Sequence, residues 1–446
     1  MKQEKNILSF VREPLERFIH LETSSSILLI LFTAISMILA NSPWSGTLYD
    51  LLYSPLTVGA GAFVLSKPVI LWINDGLMAV FFFVIGLEIK REFLVGELSD
   101  LRRASLPVIA ALGGMLVPVI LFLSLNRGSA GSEGWAIPMA TDIAFSLGIL
   151  SLLGKRVPYA LKVFLATFAI VDDLGAVLVI AFFYSSNIQL LLVLIALLIV
   201  GLLLLLTRFN LYSRHLYFIA GVIVWVLLLK SGVHATIAGV LMAFTIPIRR
   251  PIDTSNFISE VQTAIEAIRS SDKPGPFFNK TQTGALDAID ELVEKIQAPA
   301  QYLENKLHAW VSFVIMPLFA LANAGIAFTG IQAGYFDLSL TIALSLVFGK
   351  LTGISLFTYL AVKLNISRLP DSVTFRQITG LALLGGFGFT MAMFIGSLAY
   401  TDAALVEASK LGIIMGSLVA GVGGYLLLKQ TLPKKDRLEE QSEYSD

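Results

Sequence analysis

Long apolar stretches, separated by short polar segments, run along almost the whole chain. A helix needs about 20 mostly apolar residues to cross the hydrocarbon core of a bilayer. Twelve stretches approach that length, and their centres lie near residues 33, 82, 115, 145, 173, 197, 222, 240, 318, 350, 388 and 418. This pattern predicts an all-α polytopic membrane protein with twelve transmembrane helices. The seventh and eighth are joined by a very short loop between Lys230 and His234.

The composition agrees with a membrane protein. Of the 446 residues, 56% are hydrophobic and 14% are charged, whereas soluble domains have roughly 25% charged residues. The net charge of zero gives no basic surface for nucleic acid. The absence of cysteine excludes disulfides and thiolate metal sites, and we expect no cofactor.

The distribution of lysine and arginine predicts the orientation of the chain. An even number of spans places both termini on the same side of the membrane. The loops on the opposite side contain only Lys67, Arg127, Lys230 and Lys410, while the loops on the side of the termini are rich in basic residues. Because basic residues accumulate in cytoplasmic loops, both termini should be cytoplasmic.

The pattern divides the chain into five segments. Residues 1–24 are charged throughout and lack the features of a signal peptide. Within them Phe10, Leu15 and Phe18 could line an interfacial helix on the cytoplasmic side. The remaining segments are helices one to eight at 25–250, a cytoplasmic insert at 251–306, helices nine to twelve at 307–430, and a cytoplasmic tail at 431–446.

Two loops are long enough to fold. The first outside loop, at about 45–66, has β-branched and aromatic residues around Gly59 and Gly61, which predicts a β-hairpin. Its edge could pair with a second copy of the chain, or it could be a simple surface hairpin. The cytoplasmic insert should form two amphipathic helices on the membrane surface or on the protein. Their apolar positions are Phe257, Val261, Ile265 and Ile268, and then Leu286, Ile289, Val293 and Ile296.

Four charged residues interrupt the most apolar segments. Asp142 lies in the fourth predicted span, Asp172 and Asp173 are adjacent in the fifth, and Lys350 lies in the tenth. Charged groups at membrane depth are costly and usually functional. Three acids and one base at this depth indicate a site that handles cations or protons.

The spacing of these residues suggests different roles for them. Successive helical residues point about 100° apart, so Asp172 and Asp173 should not face the same cavity equally. One should meet the path of the substrate and the other a neighbouring helix. Lys350 either pairs with an acid of the fifth span or extends to an interface, which its central position disfavours.

Proline and glycine in the middle of two predicted spans bear on whether those helices are continuous. Pro138 precedes Thr141 and Asp142, and proline within a helix frees a backbone carbonyl. Asp142 could ligate a cation or offset the positive ends of half-helices. In the eleventh span, Gly385, Gly386 and Gly388 allow close packing or unwinding. Breaks seven spans apart would fit inverted-topology repeats of spans three to five and ten to twelve.

Other polar residues leave alternatives open. Glu88 and Glu92 share a helical face at the predicted cytoplasmic end of the second span. They could form an acidic entrance or a proton sensor, or they could simply be a solvated helix end. His234 is a structural group, an outside-facing titrating group or a ligand. Asn323 should bond to another helix, and Asp75 can cap a helix end.

Several strings together resemble the NhaA-type bacterial sodium/proton antiporters. They are GLEIKRE, ATDIAFSLGIL, FAIVDDLGAV, KSGVHATIAGVL, MPLFALANAG and GKLTGI, and the resemblance covers nearly all of residues 20–430. It implies electrogenic exchange of cytoplasmic Na⁺ or Li⁺ for external protons across the bacterial inner membrane, with a role in pH homeostasis. The insert at 251–306 is longer than the connection typical of the family.

The resemblance also implies residue roles. Asp173 would carry the cation and the proton, while Asp172 would be the second acid and pair with Lys350. Thr141 and Asp142 would lie where two broken helices cross and complete the cation site. The residues implied for pH response are Glu88, Glu92 and His234. The expected partners are Na⁺, Li⁺ and H⁺ as substrates, membrane lipid, and a second copy bound through the outside hairpin.

Three rival functions remain to be weighed. A sodium-coupled symporter of organic anions needs polar groups at the midplane, and few are present besides Lys350. An intramembrane aspartyl protease commonly has a G-x-G-D string, which this sequence lacks. A passive channel fits poorly with two acids and a lysine that favour occupancy of a tight site.

Overall fold

The structure is almost entirely helical. The computed structural model describes residues 7–60, 63–127, 131–248, 254–271, 278–327, 335–370 and 372–433. Among these residues, nine helices are long and apolar enough to cross a membrane, or up to 11 if each of two bent pairs forms one span. The predicted all-α polytopic class is therefore confirmed, while the count of twelve spans stays a prediction.

The described residues of the first half form nine α-helical segments, besides short 3₁₀ helices. They are α1 (Ile7–Ala40), α2 (Ser45–Tyr53), α3 (Val69–Leu94), α4 (Leu101–Leu125), α5 (Ile143–Ser151), α6 (Tyr159–Phe183), α7 (Leu190–Arg208), α8 (Arg214–Ser231) and α9 (Ile237–Thr245). Two differ from expectation. The described part of the N-terminal segment is the beginning of α1, a single helix of 34 residues, rather than a separate short helix. The eighth predicted span is α9, which has 9 residues and is too short to cross a bilayer alone.

Seven α-helical segments follow in the part of the second half that the structure describes. They are α10 (Thr254–Ser270), α11 (Lys280–Ile296), α12 (Pro299–Asn323), α13 (Phe336–Lys363), α14 (Phe375–Gly385), α15 (Phe389–Ala399) and α16 (Ala403–Thr431). The insert at 251–306 contains α10 and α11. Local signals explain several starts: Asp402 caps α16, and Asn279 and Thr374 form capping boxes with Gln282 and Gln377. The tail from residue 434 lies outside the described residues.

The outside loop contains two antiparallel strands, β1 (Pro55–Ala60) and β2 (Phe63–Pro68). Their register sets Val58 opposite Leu65, and the tip at 61–62 lies outside the described residues. The indole Nε1 of Trp72 donates to the carbonyl of Leu56 at 3.0 Å. This bond fixes the hairpin to the first turns of α3.

Two membrane segments are broken, one after Pro138 and one at the glycine cluster, for which the sequence had left close packing and unwinding open. A 3₁₀ helix at Ser132–Met139 ends in extended backbone at Ala140 before α5 begins. Pro138 lacks an amide hydrogen and so cannot continue the helical bonding there. In the second segment, α14 ends at Gly385 and α15 begins at Phe389 with a bend of 43°. Each break lies between two long helices, α4 and α6 or α13 and α16, and the inverted repeat stays a prediction.

Close backbone packing buries the middle of α13. A Cβ on Gly353 would lie 2.2 Å from the carbonyl oxygen of Gly113 in α4, and one on Gly349 would lie 2.5 Å from the Cα of Pro118. Only glycine permits this approach. The contact presses α13 against α4, and Lys350 is fully buried.

Candidate functional site

The two breaks lie against each other in the interior. The amide of Asp142 donates to the carbonyl of Phe387 at 2.7 Å, and the hydroxyl of Thr141 donates to the carbonyl of Gly385 at 2.7 Å. Backbone groups released from a helix must find partners when no water is present. Each break therefore supplies hydrogen bonds that the other lacks, and this fixes the crossing.

Asp142 caps helices of both broken segments. One carboxylate oxygen accepts from the amide of Phe145 at 3.2 Å, which caps α5. The other accepts from the amide of Thr390 at 3.1 Å and from the Thr390 hydroxyl, in the first turn of α15. The positive ends of two half-helices thus meet one negative charge. The sequence left two roles open for Asp142, ligation of a cation and neutralisation of positive helix ends. The contacts show the second role directly.

Lys350 pairs with Asp172 and with no other acid within ion-pair distance in the described chain. Its ammonium donates to Asp172 at 2.8 Å and to the hydroxyl of Thr141 at 2.9 Å. It also lies 5.6 Å from the centroid of the Phe168 ring, within range of a cation–π interaction. Both charged side chains are 0% exposed. The lysine does not extend to an interface.

Asp173 lines a small cavity on another side of α6. The cavity has a volume of about 60 Å³, whereas one water needs about 10–15 Å³. Asp142 and Glu88 also line it, whereas Asp172 does not. The hydroxyl side chains in the lining are those of Ser25, Ser312 and Thr390. The adjacent acids are thus divided as their spacing predicts, with Asp173 at the cavity and Asp172 at a neighbouring helix.

The cavity presents the chemistry that a hard monovalent cation needs. Carboxylate and hydroxyl oxygens are the groups that such cations prefer. Several water molecules fit in the volume beside a cation, so only part of its hydration shell must be replaced. The same carboxylates accept protons, so one place can hold either species.

A second charged cluster lies at the C-terminal end of α3. Arg91 bonds to Glu304 of α12, and its guanidinium lies 3.2 Å from Glu92 and 3.8 Å from Glu88. Next to it, Lys90 donates to the carbonyls of Phe244 at 2.7 Å and Ile246, at the end of α9. Glu88 belongs to both this cluster and the cavity. The cluster therefore connects the cavity with the ends of three helices.

His234 lies apart from these groups, in the short connection between α8 and α9. It is close enough to Asp75 and Lys67 for their charges to act on it, and those two form an ion pair of 2.9 Å. Burial lowers the pKa of His234, the carboxylate of Asp75 raises it, and the ammonium of Lys67 lowers it. His234 is not among the residues that line the cavity.

The sequence did not single out four residues of this arrangement. They are Thr390, Arg91, Glu304 and His308. Thr390 lies two residues after the last glycine of the cluster, and Glu304 and His308 share one face of the amphipathic start of α12 at a spacing of four. Both signals were present, but threonine and short amphipathic stretches are too common to stand out. The predicted interhelical bond of Asn323 is present, to Asn74 at 2.9 Å.

Comparison with known proteins places the chain in a family. A sequence model of the family Na⁺/H⁺ antiporter 1 matches residues 16–428. The chain belongs to this family. It is 47% identical to the Na⁺/H⁺ antiporter NhaA of Oleidesulfovibrio alaskensis over 94% of each chain.

Two further relatives agree. The Na⁺/H⁺ antiporter NhaA of Koribacter versatilis is 46% identical over 93% of this chain and 91% of its own. The Na⁺/H⁺ antiporter NhaA of Proteus mirabilis is 44% identical over 94% of this chain and 97% of its own. Family membership supports sodium/proton exchange, and it indicates a multi-pass membrane transporter rather than an enzyme.

Proposed function

We propose that this protein is an electrogenic antiporter that extrudes cytoplasmic Na⁺, or Li⁺, in exchange for external protons. The observation that supports it most is the division of the two acids. Asp172 is held by Lys350, while Asp173 faces a cavity lined by oxygen-bearing side chains. We place the protein in the bacterial inner membrane with both termini in the cytoplasm.

Exchange follows from competition for Asp173. A proton bound to its carboxylate blocks a cation, and a bound Na⁺ requires the carboxylate to be ionised. Asp142 and Asp172 lie nearby, so these acids titrate as a coupled set. When the site binds Na⁺ on the cytoplasmic side, it releases its protons there. When it opens outward, Na⁺ leaves and external protons bind.

Electrogenic exchange requires more than one proton for each Na⁺. The coupled acids and Lys350 provide more than one proton-binding group. The net charge that moves then couples transport to the membrane potential, which supplies about 2.3 kcal/mol per charge for each 100 mV.

Alternating access needs a part of the protein that can move around a fixed site. The crossing joins two half-helix pairs by only a few hydrogen bonds, among them those of Thr141 and Asp142. Motion of one helix bundle against the other would move these half-helices together and expose Asp173 to each side in turn.

The cluster at the cytoplasmic end of α3 is the proposed site of pH regulation. Glu88 and Glu92 share Arg91 with Glu304. Protonation of any of these acids would redistribute the bonds of one guanidinium between α3 and α12. Since Glu88 also lines the cavity, such a change would alter access to Asp173. His234 would contribute separately at the outer end.

We also propose a homodimer through the outside hairpin. Val58 and Val64 are exposed on β1 and β2, and the two strands form a sheet of two strands only. Both strands therefore have an edge at which strands of a second copy could add.

The test is dye-monitored collapse of an imposed pH gradient in everted vesicles on addition of Na⁺, Li⁺ or K⁺. The proposal expects collapse by Na⁺ and Li⁺ that rises with pH and is abolished by Asp173→Asn. Asp75→Asn, at the outer end of α3, is the matched control and should retain exchange. Normal exchange in Asp173→Asn would refute the carrier role. No response of the wild type to any cation would favour the solute-coupled symporter.

A further inference from the structure

The ammonium of Lys350 has one N–H group that no oxygen of the described residues accepts. A lysine ammonium carries three N–H donors and no acceptor. Two of them bond to the carboxylate of Asp172 and the hydroxyl of Thr141, at 2.8 and 2.9 Å. The second carboxylate oxygen of Asp172, Oδ1, is buried and also has no partner among the described residues, so it does not take the third donor. Because an unpaired donor is costly in a dry interior, the third N–H needs another partner.

The aromatic ring of Phe168 lies beside this ammonium. The ring centroid is 5.6 Å from the Nζ atom of Lys350. Phe168 precedes Asp172 by four residues, so the two side chains share one face of α6. The face of an aromatic ring carries partial negative charge and attracts a cation within about 6 Å. The ring therefore offers the third N–H an acceptor that contains no oxygen.

Two glycines border the ring of Phe168 at its edges. A Cβ on Gly114 of α4 would lie 3.2 Å from the ring carbon Cε2, and one on Gly385 at the end of α14 would lie 3.4 Å from Cε1. Both edges of the ring thus pack against backbone that carries no side chain, and Phe168 is 1% exposed. Packing of both edges holds the ring against rotation, so its orientation toward Lys350 is fixed by α4 and α14.

Two adjacent acids act on Lys350. The charges of Asp172 and Asp173 both reach its ammonium, but only Asp172 lies within ion-pair distance in the described chain. Asp173 lines the cavity and points about 100° away from Asp172 around α6. An ammonium that moved to Asp173 would leave the ring of Phe168. It would also occupy the carboxylate that the proposed function assigns to Na⁺.

We propose that Phe168 is a positioning residue of the exchange site, whose ring holds the ammonium of Lys350 on Asp172 and keeps it away from Asp173. The ring face, the Asp172 carboxylate and the Thr141 hydroxyl together take all three N–H donors. The ammonium then neutralises one acid and leaves the other to Na⁺ and protons. The inference rests on the proposed function, because it concerns the access of Na⁺ to Asp173.

Fluorinated phenylalanine at position 168 tests the contact with little change in packing. Each ring fluorine withdraws electron density from the ring face and so weakens its attraction for a cation. Phenylalanines with an increasing number of ring fluorines are inserted into the full chain, and the melting temperature of the purified protein is measured. The matched control is the same series at Phe164, which is 5% exposed and lies one turn further from Asp172 in α6. The proposal expects a stepwise fall at position 168 only, and equal responses at both positions would overturn it.

Phe168→Leu tests the positioning role in everted vesicles. Leucine keeps the position apolar but removes the ring, so the ammonium of Lys350 competes with Na⁺ for Asp173. The apparent KM for Na⁺ should rise about threefold or more, because a cation–π contact of about 0.7 kcal/mol corresponds to that factor. The maximal rate should change far less. Phe164→Leu also removes a buried ring and should keep the KM of the wild type, and the same KM in both leucine variants would contradict the proposal.

The two measurements separate this inference from the proposed function. If Phe168→Leu fails to fold, the most fluorinated variant at position 168 replaces it in the KM measurement. Normal exchange in the wild type, with an unchanged KM in the variant, would refute the positioning role alone. If the wild type showed no Na⁺-driven exchange, the proposed function and the positioning role would both fall. A stepwise fall in melting temperature would then leave only the contact between the ring and Lys350.

Discussion

Two lysine–aspartate pairs of almost the same length lie in different surroundings. Lys350 and Asp172 are 2.8 Å apart at the helix crossing, and both side chains are 0% exposed. Lys67 and Asp75 are 2.9 Å apart where β2 leads into α3, with exposures of 28% and 14%. The distance between the charges is therefore not what distinguishes the pairs.

The two pairs differ in the cost of removing one partner, because one pair is buried and the other is partly exposed. Removing one partner of a buried pair leaves an isolated charge in a medium that cannot solvate it, whereas water and ions compensate at a partly exposed site. The central pair also depends on the Thr141 hydroxyl and the Phe168 ring. Burial therefore makes Lys350 and Asp172 depend on each other, while Lys67 and Asp75 can be separated at little cost.

The largest effect should come from Lys350→Ala. It leaves the Asp172 carboxylate buried without its cation, and we expect a loss of about 3–5 kcal/mol in the free energy of unfolding. The melting temperature of the purified protein reports this loss. In vesicles, the pH profile of exchange should shift upward or electrogenicity should disappear. An unchanged melting temperature and profile would count against the pair.

Thr390→Val should have the next largest effect. It removes the hydroxyl donor to the buried Asp142 carboxylate, and a hydrogen bond to a charged group contributes about 1.5–3 kcal/mol. Thr390→Ser retains the donor and should recover most of the stability. Thr352→Val is the control, because Thr352 is exposed and bonds only within its own helix. If Thr390→Val and Thr352→Val lost the same free energy of unfolding, the helix crossing would not need a hydroxyl donor to Asp142.

His234→Gln should change the pH dependence of stability. Burial lowers the pKa of His234 in the folded state, so the unfolded chain takes up the proton first as the pH falls. Folding is then progressively disfavoured below the ordinary pKa of about 6.5 and is unaffected well above it. The glutamine variant should lose less stability than the wild type between about pH 7 and pH 5. If the melting temperatures of the variant and the wild type fell by the same amount across that range, a lowered pKa of His234 would be contradicted.

The smallest effect should come from Lys67→Ala. The pair with Asp75 is partly exposed, and such pairs contribute about 0–1 kcal/mol. Its melting temperature should therefore change far less than that of Lys350→Ala, and added salt should reduce the difference further. If both alanine variants lost the same stability, burial would not be what separates the two pairs.

The residues of the central site could be found from the sequence because each violates a local rule. A carboxylate or ammonium within an apolar stretch is costly and therefore visible, as with Asp142, Asp173 and Lys350. Thr390 and Glu304 violate no rule at their positions. Their importance comes from partners 248 residues away in Asp142 and 213 residues away in Arg91, and no local pattern records such a distance.

Helices α10 and α11 show the same limit of local sequence patterns. Helical spacing correctly indicates that Ile265 and Leu286 belong to apolar positions of amphipathic helices. It does not determine which apolar residues are buried, because the faces that meet depend on how two helices pack. The small Ala264 and Ala285 allow close approach, and the larger side chains are left at the edge.

The sequence by itself determined the membrane class, the helix break after Pro138 and the set of charged residues at depth, because apolar length, proline and isolated charge act locally. Only the tertiary structure decided that Lys350 holds Asp172, that Asp173 faces the cavity, and that Asp142 caps two helices at once. These outcomes depend on the rotation and crossing of helices, which are fixed by packing over the whole bundle. The contact of Gly113 with Gly353, which presses α13 onto α4, is one example.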